Sequence, residues 1–141
     1  MSRFACVLAF LATPALTTAA FAQTYTSAAE VKPILTITQP QWIAVREFDG
    51  KDLLYFTNLL AWRCGVTSIA YGLNGAPADT MLATEPCYEG EPQPNTFKPD
   101  QPIQPYIVLP LGSVETVTLR VTYDDGSTQD VSYTRKSVQM N

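Results

Sequence analysis

The chain has 141 residues with 9 basic and 13 acidic side chains, a formal net charge of −4, and no histidine. The missing imidazole excludes Ser-His and Cys-His nucleophile pairs, histidine general bases and zinc sites with imidazole ligands. The acidic balance and the lack of any Lys/Arg cluster argue against nucleic-acid partners, whose phosphates are held by concentrated positive charge.

At the N-terminus, Arg3 precedes an apolar run over residues 4–16, and Ala20-Phe21-Ala22 has the A-x-A form of a signal cleavage site. Residues 1–22 are therefore expected to be a cleavable secretory signal, with the mature chain starting at Gln23 in the periplasm or outside the cell. The run is short for a membrane span and contains Pro14, and Cys6 leaves with the leader. No later segment is apolar over the length of a span, so the mature product is expected to be soluble. Cleavage would leave 119 residues at a net charge of −5, enough for one domain with its own core. The expected organisation is a signal over 1–22, a flexible polar segment over 23–32 and a β-sandwich domain over 33–141.

From Ile34 onward, short runs rich in Val, Ile, Thr, Tyr and Leu alternate with Gly, Pro, Asn and Asp punctuation, the pattern of an all-β sandwich. Strands are expected near 34–38, 42–48, 53–60, 66–73, 106–111, 114–123 and 128–136. The clearest is the C-terminal hairpin, where Val117, Leu119, Val121 and Tyr123 share one face and Thr116, Thr118, Arg120 and Thr122 the other. Asp124-Asp125-Gly126-Ser127 supplies turn chemistry, and Val131 and Tyr133 return facing inward. Asp49-Gly50 and Asn74-Gly75 signal two further turns. Residues 53–63 also fit a helical stripe, with Asp52 as N-cap and Gly65 as stop, although a strand is the preferred reading.

Residues 85–105 differ in kind, with Pro86, Pro92, Pro94, Pro99, Pro102 and Pro105 set among Glu, Gln, Asn and Asp. So many prolines forbid both a helix and a central strand. A loop of this length in a small domain is the first place to look for binding. Export would place Cys64 and Cys87 in an oxidising compartment, where a disulfide is expected and a catalytic thiol is not. The candidate binding residues are Tyr88, Glu89, Glu91 and Phe97. On a displayed loop the two aromatics could anchor a protein partner or stack on a sugar, whereas packed down they would fasten the loop.

Asp79, Glu85, Glu89 and Glu91 gather carboxylates near Cys87, but their spacing matches no calcium loop. They are read as solvated loop charges, and Asp124-Asp125-Gly126 as a turn. No metal, cofactor or catalytic residue is expected.

Ser68-Ile69-Ala70-Tyr71-Gly72-Leu73-Asn74-Gly75, then Leu111-Gly112-Ser113, then the run from Val117 to Ser127 resemble bacterial immunoglobulin-like and fibronectin-type sandwich domains over about half of the mature chain. The resemblance implies an antiparallel Ig-like β-sandwich and is silent about ligand, since these motifs encode strands and turns. The proline-rich insert departs from it. The expected function is a non-catalytic interaction module of the cell envelope that presents the 85–105 loop to a protein partner. The alternatives are a carbohydrate-binding module using exposed aromatics such as Trp42, Tyr88 or Phe97, and a carboxylate-based hydrolase.

Overall fold

In the computed structural model, residues 24–140 are described, so the expected signal over 1–22 lies outside the described residues. Among them, seven strands form two antiparallel sheets, and one disulfide, Cys64–Cys87, ties the turn before Val66 to the loop after Met81. The first sheet contains β1 (Ala44–Phe48), β2 (Lys51–Tyr55) and β5 (Tyr106–Pro110) in the order β1-β2-β5. The second contains β3 (Val66–Leu73), β4 (Thr80–Met81), β6 (Thr116–Tyr123) and β7 (Thr128–Thr134) in the order β4-β3-β6-β7.

Alternation builds the second sheet. Val117, Leu119, Val121 and Tyr123 of β6 are all buried and pair across to Tyr133, Val131, Gln129 and the turn, in the register that the period of two demands. Asn74 and Asp49 have positive φ beside Gly75 and Gly50, as tight hairpin turns require. The core is continuous between the sheets: Val45, Leu54 and Phe56 meet Ile69, Leu119, Val121 and Tyr123, with Trp42 fully enclosed.

Several sequence expectations fail at the N-terminal end. Residues 34–38 are not a strand, and residues 28–32 are not a flexible lead-in; both belong to a helix, α1 (Ala28–Thr38). Glu30 accepts from the Thr26 and Ser27 amides at 3.0 and 3.2 Å and from Ser27 Oγ at 2.9 Å, which secures the first turn and lowers the Glu30 pKa. Ala28, Val31 and Leu35 share its buried face at helical spacing. The β-branched Ile34, Thr36, Ile37 and Thr38 suggested a strand, but tertiary docking overrides that local preference.

The docking partner is the β6–β7 turn. Asp124 Oδ1 accepts from the Ala28 amide at 2.8 Å, a carboxylate placed at the positive end of the helix, and Lys32 Nζ reaches Asp125 Oδ2 at 2.9 Å. Hydrogen bonds from Ser127 and Lys32 hold the Asp125 carboxyl down at about 2. Gly65 makes the close approach possible, since a Cβ there would collide with the Val31 side chain and the Ser27 carbonyl.

The stretch expected as a strand over 53–60 splits. β2 ends at Tyr55, and α2 (Thr57–Leu60) buries Leu59 and Leu60. Asp52 is no helix cap. It is fully buried and binds Arg135 through two hydrogen bonds, 2.6 and 3.0 Å, and the Val114 amide at 3.1 Å. Arg135 opens α3 (Arg135–Val138) and also reaches Glu47, so one guanidinium fastens the first sheet to the end of β7.

Candidate functional site

The proline-rich loop is short of backbone N–H donors but not of carbonyls, and arginine carries five donors and no acceptor. The structure matches the two. Arg63, in the short turn after α2, is only 4% exposed and donates to the carbonyls of Glu85 and Pro86 at 3.1 Å each, Asn95 at 2.6 Å and Thr96 at 2.9 Å. One side chain therefore grips both limbs of the loop at its root. A buried guanidinium needs compensating charge, which Glu85, itself buried, supplies from 3.8 Å. Burial pushes the Arg63 pKa down while Glu85 opposes the shift.

Glu85 Oε2 is in turn occupied: it accepts the Tyr88 hydroxyl at 2.8 Å and the Lys98 amide at 3.1 Å. Burial, then the bond to Glu85, raises the Tyr88 pKa, so the phenol stays a donor. The Tyr88 and Phe97 rings lie 5.5 and 5.2 Å from the Arg63 guanidinium and cage it by cation–π contact. Lys98 Nζ stands 3.8 Å over the Tyr88 ring and pairs with Glu91 at 2.7 Å.

The disulfide ties the same root, Cys64 following Arg63 directly and Cys87 lying one residue before Tyr88, with Cα atoms 4.8 Å apart. Asn95 adds a third fastening. Its Oδ1 accepts from the Cys64 amide at 2.9 Å, and its Nδ2 donates to the Tyr25 carbonyl at 3.0 Å. Inside the loop, the Tyr88 amide donates to the Pro94 carbonyl at 3.0 Å, closing a turn whose tip, Glu89 to Gln93, is exposed.

The four residues singled out in the loop thus divide. Tyr88 and Phe97 are half-buried fasteners of the loop, while Glu89 and Glu91 stand at the surface. Trp42, named as a sugar-stacking alternative, is enclosed by the core and donates to the Leu35 carbonyl, so it is not available. Sequence reasoning missed Arg63 as the organiser; the available signal was a lone arginine beside a cysteine in an otherwise apolar stretch, facing a loop rich in proline.

With its donors spent on carbonyls, Arg63 holds the loop, and the exposed part that remains is the tip with Glu89 and Glu91. Comparison with protein-family models, curated proteins and solved structures gave no match for this chain. The fold defines it only as a protein of two antiparallel sheets with a clamped, disulfide-rooted loop.

Proposed function

We propose that the chain is an exported, non-catalytic interaction module of the cell envelope that presents the 85–105 loop to a protein partner. The observation that carries this reading is the Arg63 clamp. A loop fixed by four arginine–carbonyl hydrogen bonds, a disulfide and two caging rings has already lost the freedom that binding would otherwise cost, which favours affinity.

Support for a non-catalytic role comes from the absence of histidine and from the buried carboxylates Asp52 and Glu85. Each is committed to an arginine and to backbone amides, an arrangement suited to structure and not to proton transfer. Support for the immunoglobulin-like resemblance comes from strand order. With β1 to β7 named A, B, C, C′, E, F and G, the sheets read A-B-E and C′-C-F-G, within the menu of that architecture. Export is supported by the A-x-A leader and by the disulfide.

The test is capture of a partner from envelope extract by the mature chain and by a variant with residues 89–93 replaced by Gly/Ser. That replacement spares every carbonyl that Arg63 binds, so the fold is kept. Loss of the captured partner is expected; undiminished capture would contradict the reading.

A further inference from the structure

The outer face of the first sheet carries a second, separate site. The register sets Ala44, Tyr55 and Tyr106 in one row and Arg46, Leu53 and Val108 in the next, on the face opposite the one by which Val45 and Leu54 enter the core, and of these six only Leu53 is buried. The half-buried Tyr55 ring leans on Tyr106 at a centroid distance of 5.1 Å and lines a cleft together with Ala44. Val138, Gln139 and Met140 form a wall of this cleft, which has a volume of about 540 Å³.

Three features of this cleft specify a ligand. Its lining includes the half-buried ring of Tyr55. Its rim carries neutral hydroxyl and amide side chains, Gln41, Thr57, Asn58 and Gln139 among them. It also contains Arg46, which makes no ion pair among the described residues although the chain is acidic, its guanidinium lying 4.8 Å from the Phe48 ring. An extended peptide could not enter here by strand addition, because the outer edge of β1 is taken: Val45 bridges Gln139, and the Met140 amide donates to the Val45 carbonyl at 2.8 Å.

We propose that this cleft binds a carboxylate-bearing sugar, a uronate unit of an acidic glycan. The sugar ring stacks on Tyr55, its carboxylate pairs with Arg46, and its hydroxyls meet Thr57 and the free Oδ1 of Asn58, whose Nδ2 already donates to the Gln41 carbonyl. The site shares no residue with the loop clamp and does not depend on the role proposed for the loop.

The test is titration of the mature chain with trigalacturonate, its methyl ester, neutral galactotriose and tetraglutamate, followed by calorimetry and by amide chemical shifts. Trigalacturonate is expected to bind and to move resonances of residues 44–46, 55–58 and 137–140, with the ester and the neutral sugar much weaker. Arg46→Gln, at an exposed position, should weaken trigalacturonate by about tenfold to a hundredfold, the range for a charged hydrogen bond. Gly/Ser replacement of residues 89–93 should leave it unchanged. Equal binding of ester and acid, preference for tetraglutamate, unaltered affinity of Arg46→Gln, or no binding at millimolar trigalacturonate would each overturn the proposal.

Discussion

Arg63 and Glu85 form a pair of buried opposite charges whose members are each worth most in the presence of the other. Removing one strands a charge in a low-dielectric site, at a cost on the order of 3–5 kcal/mol. Arg63→Met should lower stability in urea by about that amount. Glu85→Gln in the same chain should cost less than the sum of the two single changes, because it removes the stranded carboxylate. Additive losses would mean that the two charges do not compensate each other. Asp52, in β2, is the other buried carboxylate paired with an arginine. Its hydrogen bonds to Arg135, foremost, hold its pKa far below the ordinary value, against an opposing effect of burial. A depressed carboxyl contributes stability that is fully present above the unfolded value near 3.9 and is lost as pH falls through the folded value. Asp52→Asn should therefore be less stable at neutral pH and show a flatter acid limb below about pH 4 than the parent; parallel curves would contradict the assignment.

Among the elements, the disulfide spans 23 positions of sequence and, in the chain-entropy model, stabilises by roughly 3–4 kcal/mol. Cys64→Ser should lower the melting temperature, and the double variant with Cys87→Ser should match it, since either change removes the whole bridge; a further drop in the double variant would point to a separate role for the second cysteine. The bridge was legible because, with Cys6 assigned to the expected leader, two cysteines leave one pairing. The β6–β7 hairpin was legible because period-two alternation and Asp-Gly turn chemistry agree there. The helix α1 was not, because its apolar positions Ala28, Val31 and Leu35 are interleaved with β-branched residues and Pro33, and only docking against Asp124 and Gly65 decides between helix and strand. Residues 53–63 were ambiguous for a physical reason: the segment contains a strand and a helical turn in succession.

Over the whole molecule, two sheets and three helices among the described residues contribute to one core, and the two surfaces proposed for binding, the loop tip and the cleft beside Tyr55, lie apart in sequence. The candidate loop was visible from its prolines, and packing of its aromatics to fasten it was the favoured reading, but their partner was not legible, since nothing local to Tyr88 or Phe97 reveals a guanidinium brought up from residue 63. The clamped state of that loop is the claim on which its proposed role rests. Amide hydrogen exchange reads it directly at Tyr88 and Lys98, whose N–H groups donate to the Pro94 carbonyl and the Glu85 carboxylate. Both amides should be protected well beyond free-peptide rates in the parent protein and lose that protection in Arg63→Met under conditions where β6 and β7 stay protected. Free-peptide exchange at both positions in the parent protein would contradict the clamp.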